Sequence, residues 1–169
     1  MPTMLETVAK PAPLAVAVFH RLRERQRGGA ASPITERLAV IRRLRQLLPS
    51  MEAVFVEALQ ADIHKPRAET IAAELLPTAA ACQYLEKRAR RILRPRTVSF
   101  FDTPNLFMGE RDVVVRRPRG VVGIIGTWNY PLFLSGVQIV QALAAGNVVI
   151  WKPSEIAPRT AQATVQWLR

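Results

Sequence analysis

The sequence predicts an α/β fold, in which N-terminal helices precede an extended β-hairpin and one βαβ unit of a parallel sheet. Two observations lead to this prediction. Apolar residues recur every three to four positions through residues 14–93, as on the buried stripe of amphipathic helices. Beyond Pro95 the pattern changes to short β-branched and apolar runs that are separated by glycine and proline. We therefore expect a helical segment over residues 1–96, a hairpin over 97–117 and the start of a sheet domain over 118–169.

The helical segment divides at its prolines and glycines. A first helix begins near Leu14 and ends at Gly28 and Gly29. Ser32 followed by Pro33 predicts the capped start of a second helix, and Pro49 with Ser50 predicts a break and the cap of a third. The predicted inward positions of the second and third helices are Leu38, Ile41, Leu44, Leu48, Val54, Phe55, Ala58 and Leu59.

A long helical pattern covers residues 67–93, and Pro77 should kink or split it because proline lacks an amide hydrogen. Its predicted inward side carries Ile71, Leu75, Cys82, Leu85, Ala89 and Ile92. Basic side chains crowd its end, where they complement the negative end of the helix dipole. These are Lys87, Arg88, Arg90, Arg91, Arg94 and Arg96.

The strand signals follow in two groups. Residues 98–101 and 113–117 predict a hairpin whose strand edges need a partner. Residues 121–125 and 148–151 are continuous apolar runs on either side of a helical stretch, which predicts two parallel strands with a right-handed crossover. A last helix should begin near Pro158. Since a two-stranded parallel sheet cannot cover itself, we expect an incomplete domain.

Composition and charge argue against a dedicated nucleic-acid-binding arm and a membrane span, but they leave a basic binding module open. The formal net charge is +11 and the pI is about 11.3, but the basic excess is spread along the chain, which favours solvated helix faces over a nucleic-acid-binding arm. No apolar run is long enough to span a membrane. The single cysteine cannot form an internal disulfide, which predicts a reduced, cytoplasmic protein. A basic helical module that binds nucleic acid or a partner protein remains an alternative.

Two motifs carry a resemblance to a known family. Trp-Asn-Tyr-Pro stands at residues 128–131, and Gly-Asn-x-x-x-x-Lys-Pro-Ser-Glu stands at residues 146–155. Together, in a βαβ context, they resemble the aldehyde dehydrogenase superfamily. The upstream residues 59–62, Pro66, Glu74 and 94–96 resemble, more weakly, the branch of fatty-aldehyde and coniferyl-aldehyde dehydrogenases. The resemblance implies the N-terminal part of this fold, with the first βαβ unit of its Rossmann-like sheet.

The resemblance also implies a reaction and a set of site residues. Members oxidise an aldehyde to a carboxylic acid with NAD or NADP, through a cysteine thiohemiacetal. Asn129 would stabilise the oxyanion, although a turn asparagine that bonds its own backbone is the ordinary alternative. Lys152 and Glu155 would hold the adenosine ribose, and the Glu155 carboxylate favours NAD because it repels a 2′-phosphate. The further cofactor contacts implied are Ile125, Gly126, Thr127, Trp128 and Ser154.

Three elements that the resemblance predicts are absent from these 169 residues: a glycine-rich cofactor loop, a glutamate general base and a nucleophilic cysteine. Cys82 is predicted to be a buried structural thiol. We therefore expect no turnover from this chain alone. His20 and His64 are isolated and predict no metal site. The resemblance implies a homodimer for complete relatives, so an oligomerisation remnant built on residues 97–117 is a further alternative.

Overall fold

Helices dominate the computed structural model, which describes residues 13–29, 32–98 and 112–169. The helical elements are α1 (Pro13–Gly29), α2 (Ile34–Leu47), a 3-10 turn (Pro49–Met51), α3 (Glu52–Ile63), the short α4 (Arg67–Glu69), a π-helical stretch (Thr70–Leu75), α5 (Leu76–Leu93), α6 (Pro131–Ala144) and α7 (Pro158–Trp167). The strands are β1 (Arg96–Thr97), β2 (Val113–Val114), β3 (Val121–Ile125) and β4 (Val148–Lys152). Among the described residues, none of the helices combines the length and the hydrophobicity that a membrane span requires.

One hydrophobic core joins the helices. Helix α2 packs on α5, α3 packs on α7, and α6 packs on α5. The Trp167 indole lies at the centre of this core, where it is fully buried and donates a hydrogen bond to the Leu44 carbonyl oxygen at 2.8 Å. Most predicted inward residues are buried or partly buried, but Val54 and Ile92 are exposed, which corrects two positions of the predicted stripes.

Two predicted helix caps are wrong. Ser32 lies one residue too early, because α2 begins after Pro33 and no side chain caps it. The Ser50 hydroxyl donates to the Leu47 carbonyl oxygen at 2.8 Å, so it closes the end of α2 and does not cap α3. In both places a proline stands at the junction, where its ring fixes the φ angle.

The break predicted at Pro77 is present, and it lies on the N-terminal side of the proline. Residues Thr70–Leu75 adopt the wider π-helical register before α5 begins at Leu76. Pro77 has no amide hydrogen to donate to the Ala73 carbonyl, so an α-helical bond is missing at this place. The buried residues of this stretch are Thr70, Glu74 and Leu75.

The hairpin is described only at its base. Strands β1 and β2 pair antiparallel, with Arg96 opposite Val114 and Thr97 opposite Val113. The first strand thus begins before the predicted residues 98–101, most of which lie outside the described residues. Val98 extends the pairing by donating its amide to the Asp112 carbonyl oxygen at 3.0 Å.

The predicted βαβ unit is confirmed. Strands β3 and β4 are parallel and pair from Val121 opposite Val148 to Ile125 opposite Lys152. Helix α6 connects them and packs on both, and α1 also contacts both strands. The opposite end of the unit is closed by Asn147, whose side-chain oxygen accepts the amides of Arg119 at 2.7 Å and Gly120 at 3.0 Å. The carboxyl ends of both strands therefore meet at one edge, which is open to solvent.

Candidate functional site

The candidate site lies at the carboxyl edge of β3 and β4, where parallel sheets bind their ligands. The turn after β3 runs from Gly126 to Tyr130 and leads into α6, which starts with Pro131. The Gly126 amide donates to the Lys152 carbonyl oxygen at 2.8 Å, so the turn is attached to the end of β4. Residues of both sequence motifs therefore lie at the same edge.

Asn129 is exposed in this turn. Its backbone carbonyl accepts a hydrogen bond, but no group in the described ranges bonds its side-chain amide. The ordinary alternative, an asparagine that bonds its own turn, is therefore not the conformation found. The amide N–H groups are available to an oxygen that arrives from solvent.

Position 126 has no room for a side chain, so it requires glycine. A Cβ at this position would lie 2.9 Å from the Ser135 hydroxyl oxygen, 2.9 Å from the Trp151 indole nitrogen and 3.3 Å from the Pro153 Cα. Distances under 3.0 Å demand a shift of the neighbours. The two polar atoms are buried and have no hydrogen-bond partner among the described residues. Gly126 thus lets the turn approach the loop that follows β4.

Lys152 and Glu155 form an exposed ion pair just beyond β4. The Lys152 ammonium lies 2.9 Å from a Glu155 carboxylate oxygen and 3.1 Å from the Pro153 carbonyl oxygen. The hydrogen bond from Lys152 holds the pKa of Glu155 below its usual range, so the carboxylate is charged at neutral pH. Such an exposed pair is weakly held, and a hydroxyl-bearing ligand can share both groups.

The other predicted cofactor contacts lie at the end of β3, in the turn that follows it and in the segment after β4. Ile125, Thr127 and Trp128 are exposed at the sheet edge, and Ile125 is 78% accessible in a chain whose core is well packed. The Ser154 hydroxyl accepts the Ile156 amide at 3.2 Å and so supports the turn that presents Glu155. The edge therefore offers apolar surface beside a charged pair.

A buried ion pair beneath the turn was not predicted. Lys65 is 5% exposed, and its ammonium lies 2.6 Å from a Glu74 carboxylate oxygen, 2.7 Å from the Asn129 carbonyl oxygen and 4.0 Å from the centre of the Tyr130 ring. Glu74 is fully buried, and its second oxygen accepts the Phe133 amide at 2.8 Å. Burial raises the pKa of Glu74, and the hydrogen bond from Lys65 opposes this rise. The sequence signal was a lone acid within the apolar stretch of residues 71–76.

Asp62, at the end of α3, was also missed as a site residue. One of its carboxylate oxygens accepts the Thr160 amide at 2.7 Å and the Thr160 hydroxyl at 2.9 Å, and the other accepts the Arg159 amide at 3.3 Å. These amides are the orphan donors at the start of α7. Asp62 therefore fixes the helix that follows the Lys152–Glu155 loop.

Cys82 lies away from this edge, in the core. It is fully buried, and burial raises the pKa of its thiol to about 11. A neutral thiol is a poor nucleophile, which agrees with the predicted structural role. In the described ranges no cluster of histidine, cysteine and acidic side chains could hold a metal ion.

Comparison with protein families decides the identity of the fold. The model of the aldehyde dehydrogenase family matches residues 9–169. The chain belongs to this family. The two motifs at the sheet edge are thus those of an aldehyde dehydrogenase N-terminal region, as the sequence predicted.

Named relatives support the assignment. The chain is 40% identical over 134 residues to a 4,4'-diapolycopene aldehyde oxidase of Methylomonas sp, which covers 79% of this chain and 25% of the relative. It is 37% identical over 147 residues to a probable coniferyl aldehyde dehydrogenase of Pseudomonas aeruginosa, covering 85% and 30%. A putative succinate-semialdehyde dehydrogenase [NADP(+)] 2 of Mycobacterium ulcerans is 36% identical, covering 90% and 28%. The chain therefore spans less than a third of the length of these relatives.

Solved aldehyde dehydrogenases have the same fold over this region. A substrate-bound AldH of Staphylococcus aureus aligns with a TM-score of 0.82 at 27% identity, covering 90% of this chain and 33% of that one. An aldehyde dehydrogenase of Brucella melitensis aligns with a TM-score of 0.79 at 26% identity, covering 92% and 31%. The elements described above are thus the N-terminal part of the aldehyde dehydrogenase fold.

Proposed function

We propose that this chain supplies the oxyanion donor and part of the dinucleotide site of an enzyme that oxidises an aldehyde to a carboxylic acid. The observation that carries the proposal is the unbonded Asn129 amide at the same sheet edge as Lys152 and Glu155. The family's names support aldehyde oxidation as the reaction. The aldehyde itself is left open between aliphatic and aromatic classes.

In the proposed reaction, Asn129 acts when a thiolate attacks the aldehyde carbonyl. A carbon–sulfur bond forms, and the π electrons of the carbonyl move onto its oxygen, which becomes negative. A fixed N–H donor aimed at this oxygen stabilises the transition state more than the ground state, and removing such a donor typically costs about 10²–10³ in rate. Asn129 is suited to this role because its amide has no competing partner in the described part of the chain.

The residues at the edge fit a nicotinamide dinucleotide. Glu155 can accept hydrogen bonds from ribose hydroxyls while Lys152 donates to them, and Ile125, Gly126, Thr127, Trp128 and Ser154 form the adjoining surface. Gly126 lets the turn lie close to the end of β4, because a Cβ there would lie 2.9 Å from the Ser135 hydroxyl oxygen and from the Trp151 indole nitrogen. When bound, the dinucleotide accepts the hydride from the substrate carbon. The charged Glu155 favours NAD over NADP.

The thiolate comes from outside residues 1–169. Cys82 is the one cysteine of this sequence, and its buried, neutral thiol cannot reach an aldehyde at the sheet edge. We propose that residues 1–169 by themselves do not turn over. Strands β1 and β2 are proposed to belong to a hairpin used in homodimer formation, because Val113 in β2 and Val115 just after it are exposed apolar residues. The homodimer is tested by size-exclusion chromatography of these residues joined to the remaining part of a relative, which should elute at the mass of two chains.

A chimera tests the proposed reaction. Residues 1–169 replace the matching N-terminal region of the Pseudomonas aeruginosa relative, whose remaining part provides the other elements, and the whole relative serves as the positive control. We expect aldehyde-dependent reduction of NAD, with a higher kcat/KM for NAD than for NADP. Asn129→Ala should lower kcat by about 10²–10³.

The possible outcomes distinguish failure of the proposed function from failure of the role of Asn129. A folded chimera that reduces neither cofactor with any aliphatic or aromatic aldehyde contradicts the proposed function. An active chimera whose Asn129→Ala variant keeps full kcat contradicts the role of Asn129 alone. Gln60 provides the matched control, because its side chain also ends in an amide and is exposed on α3. Gln60→Ala should leave kcat unchanged.

A further inference from the structure

The buried Lys65–Glu74 pair joins the turn that carries Asn129 to the first turn of α6. On one side, the Lys65 ammonium binds the Asn129 carbonyl oxygen at 2.7 Å. On the other side, Glu74 accepts the Phe133 amide at 2.8 Å, which is an orphan donor of the first turn of α6. The 2.6 Å bond between the two side chains completes the bridge. The backbone on both sides of Tyr130 is thus held by one pair of charges.

Burying an ion pair of this kind in a core costs free energy, because both charges lose their hydration. Lys65 is 5% exposed and Glu74 is fully buried, and removing each ion from water costs several kcal/mol. Apolar residues of similar volume often give equal or greater stability at such positions, so stability alone does not explain the pair. An apolar pair could not bind a carbonyl oxygen and an amide at fixed positions. The arrangement is therefore suited to fixing the geometry of the turn.

Both charges are placed by irregular backbone. His64 ends α3 in the left-handed conformation with φ 55°, and the next residue, Lys65, donates its amide to the Leu59 carbonyl oxygen at 3.3 Å. Glu74 lies in the π-helical stretch Thr70–Leu75, whose wider turn directs it inward beneath the turn. Left-handed residues and π-helical turns are strained or unusual features that cluster at functional sites. Here the two features place the two members of one ion pair.

We propose that Lys65 and Glu74 are positioning residues, which hold the Asn129 backbone so that its side-chain amide stays aimed at the oxygen of the reacting aldehyde. The inference rests on the proposed function of Asn129. Neither side chain touches substrate. Their effect on the reaction passes through Asn129, so it disappears when the Asn129 amide is absent.

A double-mutant cycle in the chimera tests this dependence. Lys65→Met is made with Asn129 intact and in Asn129→Ala, and the pre-steady-state burst of reduced cofactor is measured per active site. A displacement of about 1 Å in a catalytic group can cost up to about 10²-fold. We expect Lys65→Met to slow the burst about tenfold or more when Asn129 is present and less than about twofold in Asn129→Ala. Equal factors in the two backgrounds would overturn the inference, because independent effects multiply.

Further variants keep the test decisive if Lys65→Met, which leaves Glu74 buried and unpaired, does not fold. Lys65→Met with Glu74→Gln removes both charges, while the new amide oxygen can still accept from Phe133. We expect this double variant also to slow the burst when Asn129 is present and to have little effect in Asn129→Ala. Arg45→Met is the matched control, since it breaks the ion pair of Arg45 with Glu86, which joins α2 to α5, and should lower stability without changing the burst rate.

The results also distinguish the two proposals. A slowed burst in Asn129→Ala together with multiplying effects of Lys65→Met refutes the positioning role and leaves the proposed function intact. An unchanged burst in Asn129→Ala refutes the role of Asn129, and the inference fails with it. A slowed burst with non-additive effects supports both.

Discussion

At the scale of single residues, burial decides which side chains are accessible to a ligand. The Asn129 amide is exposed and unbonded, so it is available for a ligand. The Cys82 thiol is fully buried in the helical core, so it is held neutral. Burial therefore leaves the Asn129 amide accessible for its proposed role and makes the Cys82 thiol unsuitable as a nucleophile.

Cys82 should resist alkylation in the folded protein. Thiolates react with iodoacetamide, and with a pKa of about 11 almost none is present at pH 8. We expect peptide mapping of the chimera to show little modification of Cys82 at pH 8 and complete modification in urea. The reactive cysteine of the chimera's other part is the internal control. Modification of native Cys82 as fast as of that cysteine would contradict its structural role.

At the scale of elements, the turn between β3 and α6 is the part on which the site depends most. It is fixed from above by its bond to β4, through the Gly126 amide, and from beneath by Lys65. Tight contact with Ser135, Trp151 and Pro153 leaves no room for a side chain at its first residue. The turn is therefore sensitive to changes too small to disturb the strands.

Gly126→Ala should test this sensitivity. The added methyl would lie 2.9 Å from two polar atoms, and relieving such crowding typically costs about 1–3 kcal/mol. We expect a lower urea midpoint and a slower burst in the chimera, because the turn must shift. Gly123→Ala is the matched control, since nothing lies within 4 Å of its Cβ. Equal behaviour of the two variants would show that the turn tolerates displacement.

At the scale of the whole molecule, prediction succeeded where the signal was local. Short apolar runs predict strands β3 and β4. Their parallel pairing predicts that Asn129 and Lys152 lie at the same edge of the sheet. The Lys65–Glu74 bridge could not be predicted, because it depends on a left-handed residue and a π-helical register that periodicity does not reveal. The contact of Asp62 with Thr160 joins residues 98 positions apart, and no sequence spacing indicates it.

The end of α3 therefore supports both halves of the site, with Lys65 beneath the Asn129 turn and Asp62 at the start of α7. Asp62→Ala removes the acceptor of the Arg159 and Thr160 amides, and loss of a helix cap typically costs about 1–2 kcal/mol. We expect a lower urea midpoint and a higher KM for NAD, because α7 follows the Lys152–Glu155 loop, while the burst rate at saturating NAD stays unchanged.

Asp62→Asn is the conservative variant for this prediction, since its amide oxygen can still accept the Thr160 amide and should recover most of the stability. Gln60→Ala, an exposed change two residues earlier on α3, should alter neither the midpoint nor KM. If Asp62→Ala slows the burst as strongly as Lys65→Met, the two anchors do not act separately. The end of α3 would then hold the edge as one unit, because a shift of α7 would be transmitted through β4 to the Gly126 amide and so to Asn129.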